Sequence, residues 1–92
     1  MRYSHYIKKQ FKSPRFKKLS LKYPERFQAA KAIIKARLSK GWSQRKLAEE
    51  AKTTQAVISR AENMSVDSTV RLIRKIAKAL DKRLEIKFIF PA

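Results

Sequence analysis

Between Pro24 and Pro91 the chain contains no proline and a single glycine, Gly41. Those two residue types are the strongest interrupters of helix, so this long stretch is free to be helical, with one built-in stop. Helix is therefore expected to dominate from Pro24 to about Leu80. Pro24 suits a first helical position, and Glu25 beside it favours the positive end of the helix dipole. Phe27, Ala30, Ile34 and Leu38 then recur on one face until Gly41 ends the run.

Ser43 is placed to cap a second, short helix, and Trp42 stands at staple spacing from Leu47. Leu47, Ala48 and Ala51 supply its narrow apolar face. Lys52-Thr53-Thr54 breaks it, and Gln55, Ile58 and Ala61 open a third helix with Thr54 as the expected cap. Asn63 tolerates the left-handed conformation that closes such a helix. After "MSVDS", Val70, Ile73, Ala77 and Leu80 mark a fourth helix, expected to start at Asp67 or Ser68 and to carry Lys78 near its end.

The tail "RLEIKFIF" changes period. Leu84, Ile86, Phe88 and Phe90 alternate with Glu85 and Lys87, which is the pattern of a half-buried strand. A lone strand needs a ladder partner. The same strand from a second subunit is one partner, and "RYSHYI" at residues 2–7 is another within the chain.

Composition sets the class of partner. Lys and Arg number 24 against seven Asp and Glu, a net charge of +17 that concentrates polyanions around the protein. Residues 1–23 are the most electropositive part, with basic side chains interleaved with Tyr3, Tyr6, Phe11, Phe16 and Tyr23. Such an arm can track phosphates or fold over a partner. The absence of cysteine excludes a disulfide framework and a cysteine zinc site, and the one histidine, His5, reads as an ordinary exposed residue. No apolar run is long enough to span a bilayer, so no membrane partner is expected and the protein is read as cytoplasmic. Nor is an enzyme expected. Adjacent Glu49 and Glu50 point to different parts of a helix surface, and no nucleophile–base pair or metal cluster stands out, so no cofactor or metal is assigned.

Two short helices joined by a tight turn, with Ala48 at their crossing and Leu47, Ile58 and Ala61 between them, are the parts of a helix-turn-helix. The stretch "SQRKLAEEAKTTQAVISRAEN" resembles the Cro/C1-type (XRE family) motif of phage and bacterial repressors. Ser43-Gln44, Leu47-Ala48, Thr54-Gln55, Ile58-Ser59 and Glu62 fall in register with it. Two positions depart: Lys52 and Met64 stand where that family usually has glycine. The resemblance implies a mainly α, four- to five-helix, lambda-repressor-like domain over residues 24–81, with the motif at 44–62, a basic arm at 1–23 and a dimerisation strand at 82–92. It also implies an ion pair between Arg37 and Glu62.

For such a domain the third helix enters the major groove, where a glutamine can bond adenine N6 and N7 and a methyl can touch thymine. Gln55, Ala56, Ser59 and Arg60 are the candidate base contacts. Gln44, Arg45, Lys46, Thr54 and Asn63 are the candidate phosphate contacts that set the docking register. A dimer reading two half-sites on double-stranded DNA implies a palindromic operator.

"GWSQ", "AEN", a threonine-led fourth helix and the alternating tail further resemble the Hip and Hig types of antitoxin, and "PERFQAAKAIIKARLSKG" is similar to the entry helix of antitoxins that partner RelE-like toxins. That likeness implies a homodimer, its strands Leu84, Ile86, Phe88 and Phe90 paired, that neutralises a protein toxin and represses its own operon on a bacterial nucleoid. The basic arm suits DNA or an acidic partner better than a basic RelE-like toxin. A stand-alone repressor of phage or chromosomal type shares the same helices, and an RNA-binding protein shares the same charge.

Overall fold

The computed structural model describes residues 13–91, and among these five helices follow one another: α1 (Pro14–Lys22), α2 (Pro24–Ser39), α3 (Gln44–Glu50), α4 (Gln55–Glu62) and α5 (Val70–Ala79). The candidate strand at residues 2–7, with His5, lies outside the described residues.

α2 is the central element. It buries Ala30, Ile33, Ile34 and Arg37 along one face, and contributes Ile33 to one apolar cluster and Ala30 to a second. The larger cluster joins Ile33 to Leu47, Ala48 and Ala51 of the α3 region, Ile58 and Ala61 of α4, and Ile76 and Leu80 of the α5 region. Trp42 packs against it from the loop before α3. Small residues at Ala48, Ala51 and Ala61 let the short helices approach closely, while Leu47, Ile58 and Ile76 are fully buried.

The smaller cluster holds the main departure from the sequence expectation. Residues 14–22, placed in an arm, form α1. Ser13 caps it by accepting a hydrogen bond from the Phe16 amide at 3.3 Å, and Pro14 occupies its first turn. Phe16 is buried with Ala30 and Met64, flanked by Leu19 and Phe27. α1 turns directly into α2 at Tyr23, where the Arg26 guanidinium lies 3.9 Å from the centre of the Tyr23 ring.

With one glycine available, the helix ends use other residues. α2 closes with Gly41 at φ 71°, and its turn is held by Gly41 N–H to Leu38 O and Trp42 N–H to Arg37 O. The same paired pattern closes α3 around Lys52 (φ 56°) and α5 around Asp81 (φ 60°), and α4 ends around Met64 (φ 61°) with Ser65 N–H bonded to Arg60 O. Asn63, expected to take the left-handed conformation, instead has φ −101°, and Met64 takes it one residue later. The buried Met64 side chain explains the choice: that backbone turn drops it into the cluster with Phe16.

α5 also starts later than expected. Its cap is Thr69, which accepts from the Leu72 amide at 3.0 Å, rather than Asp67 or Ser68. Asp67 is drawn to Arg26 of α2, Nε to Oδ1 at 2.7 Å.

The tail differs as well. No strand is present among the described residues, and residues 82–91 run without regular structure after α5. Among the described residues the segment has no ladder partner, and an unpaired strand leaves both of its edges open. Leu84 is half-buried, while Ile86, Phe88, Ile89 and Phe90 are 62 to 91% exposed.

Candidate nucleic-acid interface

The surface in question is built by α3, its turn and α4. Ser43 Oγ accepts from the Lys46 amide at 3.0 Å and Thr54 Oγ1 from the Val57 amide at 3.2 Å, so each helix start is fixed by its own hydroxyl. Between them the chain reverses through Lys52 N–H to Glu49 O at 3.2 Å and Thr53 N–H to Ala48 O at 2.9 Å. A lysine holds the left-handed position that glycine usually fills, and Lys75 of α5 reaches over to donate to the Lys52 carbonyl at 3.0 Å.

α4 shows two faces. Ile58, Ala61 and Glu62 point inward and are buried. Gln55, Ala56 and Arg60 are exposed, and Ser59 is half-buried at their edge. A helix about 10–12 Å across fits a major groove about 12 Å wide, and its N-terminal residues are then nearest the base edges. Gln55 and Ala56 are the first two residues of α4 and Arg60 follows more than a turn on, so one strip carries an amide, a methyl and a guanidinium.

The candidate phosphate contacts separate into two groups. Arg45, Lys46 and Thr54 are exposed around the two helix starts. Gln44 and Asn63 are half-buried and engaged within the protein. Gln44 Nε2 donates to Glu62 Oε1 at 3.1 Å, and Asn63 Oδ1 accepts from the Ser65 amide at 3.0 Å and from the Ser65 hydroxyl. Their side chains brace the site from inside, and the α3 start offers its backbone N–H groups beside Gln44.

Arg37 and Glu62 lock the unit to α2. The guanidinium donates to both carboxylate oxygens and, through Nη1, to the Trp42 carbonyl at 2.8 Å. Two exposed pairs tie the flanks. Hydrogen bonding from Arg26, reinforced by its charge, holds the Asp67 carboxyl below its ordinary range, and the same bond raises the Arg26 pKa. Hydrogen bonding from Lys40, with its charge and that of Lys82, lowers the Asp81 pKa in the same way. Both carboxylates stay ionised at neutral pH, fixing the loop after α4 and the end of α5 against α2.

Sequence reasoning missed Lys75, whose Nζ satisfies the turn carbonyl, and Arg26, whose partner is far along the chain. Lys75 was legible only as one of a row of bases on α5. Among the described residues no group of three His, Cys, Asp or Glu converges as a metal site. No described helix is long and apolar enough to cross a membrane.

Neither a curated protein nor a solved structure matches the chain. A helix-turn-helix family does match it, over residues 33–87, a span that runs from mid-α2 through α3, α4 and α5 into the tail. With that match covering more than half of the chain, and with an exposed strip on α4 above a buried face, the chain belongs to the helix-turn-helix family of Cro/C1 type and is a DNA-binding transcription regulator.

Proposed function

We propose that the chain is a sequence-specific repressor that binds a palindromic operator as a homodimer, and that it is the antitoxin of a type II toxin–antitoxin pair. The observation that carries the DNA-reading part is the exposure of Gln55, Ala56 and Arg60 on a helix whose opposite face is locked by Ile58, Ala61 and Glu62. Gln55 is assigned to adenine, Ala56 to a thymine methyl, and Arg60 to guanine or a phosphate. Ser59 borders the same strip. Arg45, Lys46 and Thr54 hold the backbone, with Gln44 and Asn63 as half-buried supports at its two ends.

The dimer is supported by the tail. Ile86, Phe88, Ile89 and Phe90 expose large apolar side chains, a costly arrangement in water that a second copy of the same alternating segment would relieve by pairing. The antitoxin part rests on the likeness of the entry helix, the motif and the tail to Hip- and Hig-type antitoxins.

The test is affinity capture of the tagged protein from its native cell after nuclease treatment. One small protein recovered in stoichiometric amount, whose growth arrest is relieved by co-expression, is the expected result. No such partner, with sequence-specific DNA binding intact, would instead make the chain a stand-alone repressor.

A further inference from the structure

α5 carries a charged face that no role described above uses. Ile76 and Leu72 turn toward the core, and at helical spacing Arg71, Arg74, Lys75 and Lys78 lie together on the opposite side, all exposed. Positions three, four and seven residues apart form one continuous row. Among the described residues the ion pairs engage Arg26, Arg37, Lys40, Lys46 and Lys87, and none of the four α5 cations has a carboxylate partner. Three of the acids are paired elsewhere: Glu50 to Lys46, Asp67 to Arg26 and Asp81 to Lys40. Four like charges on ten residues repel one another, and the repulsion falls only when an anion lies along the row.

The row is joined to the DNA-reading unit. Lys75 Nζ bonds the Lys52 carbonyl in the turn that leads into Thr54 and Gln55. Lys52 is itself exposed, which adds a further positive charge at that turn.

We propose that the basic face of α5, Arg71, Arg74 and Lys78 with Lys75 as its anchor on the turn, is a second DNA-backbone surface that grips phosphates outside the base pairs read by α4. The inference rests on the DNA-binding reading and deepens it by adding contacts that carry affinity and no base preference. A duplex is the occupant because the row starts at the turn that delivers α4 to the groove, and because phosphates spaced along a backbone match charges spaced along a helix face.

The test uses the full chain and its R71Q/R74Q/K78Q variant, which leaves Lys75 on the turn. Both are titrated from low to moderate salt against a duplex selected by the wild-type protein from a random pool, and against a scrambled duplex of equal length. Each phosphate contact contributes about 0.9 to the slope of log affinity against log salt, so the variant's slope is expected to be shallower by about 2 to 3 on both duplexes. The preference for the selected duplex should match the wild type, and the thermal melting of the variant should not fall below it, since the change also relieves like-charge repulsion along the helix. An unchanged slope would overturn the proposal, and so would an unchanged slope joined to lost capture of a poly-glutamate peptide, which would assign the face to an acidic protein. A wild type with no preference between the duplexes would defeat sequence-specific reading instead, while the slope on the scrambled duplex would still decide the role of α5.

Discussion

Arg37 of α2 and Glu62 at the end of α4 meet through two parallel hydrogen bonds, Nε to Oε2 at 2.7 Å and Nη2 to Oε1 at 2.9 Å, with side chains only 6 and 4% exposed. Trp42 O and Gln44 Nε2 complete the cluster, so four segments of chain converge on one ion pair. Every buried polar side-chain atom among the described residues has a partner, which is the condition under which a buried pair is tolerated. Removing one member should leave the other charged and stranded. Arg37→Ala is expected to destabilise the fold by about 3–5 kcal/mol in urea unfolding, and the paired change R37M/E62L to recover most of that loss. A single mutant within about 1 kcal/mol of wild type, the usual size of an exposed pair, would show that the pair is not structural.

The left-handed positions at Lys52 and Met64 differ in what their side chains do. A non-glycine residue there costs about 1–2 kcal/mol, and glycine gives back about 0.4–1 kcal/mol through the freer unfolded chain. Lys52 is exposed, so Lys52→Gly is expected to stabilise by about 0.5–1 kcal/mol. Met64 is 1% exposed and fills the α1–α2 cluster, so Met64→Gly should lose more packing than it gains in backbone relief, a net loss of about 1–4 kcal/mol. Thermal unfolding of the two variants should therefore move in opposite directions, and movement in the same direction would break the distinction.

Phe16 tests whether α1 belongs to the domain. It is buried against Ala30 and Met64, and truncating a buried Phe costs about 3–5 kcal/mol. Phe16→Ala is expected to lower the melting temperature sharply in a chain this small, and Leu21→Ala, exposed on the same helix, to leave it nearly unchanged. Equal melting of both variants would make α1 an appendage.

Phe88 and Phe90 test the tail. Sedimentation velocity is expected to show a dimer for the wild type and a monomer with unchanged helix content for F88S/F90S. A variant that remains dimeric would place the subunit contact elsewhere.

The sequence made some parts of the fold legible and concealed others for identifiable reasons. Ser43 and Thr54 could be read as caps because each directly precedes a helical run, and Gly41 as a stop because nothing else near it interrupts helix. Arg37 and Glu62 were paired through family register, and the geometry shows them in contact. α1 was obscured because Phe16 and Leu19 stand among lysines, which read as a charged arm until Met64 arrives from 48 residues away to cover Phe16. The start of α5 was misplaced because Asp67, Ser68 and Thr69 are all capping residues, and the choice was made by Arg26, a contact across the fold that no local pattern reveals. The inward turn of Gln44 has the same origin: its partner, Glu62, lies on another helix. An alternating segment such as Leu84 to Phe90 records a preference for strand, but pairing needs a second strand, and the described residues do not supply one.

The most direct measurement is equilibrium binding of wild type, Gln55→Ala and Lys46→Ala to a selected duplex and to a scrambled one at fixed salt. Gln55→Ala is expected to lose about 1–3 kcal/mol on the selected duplex and nothing on the scrambled one, whereas Lys46→Ala should weaken both alike. If Gln55→Ala lost the same affinity on both duplexes, or none on either, α4 would not be reading sequence.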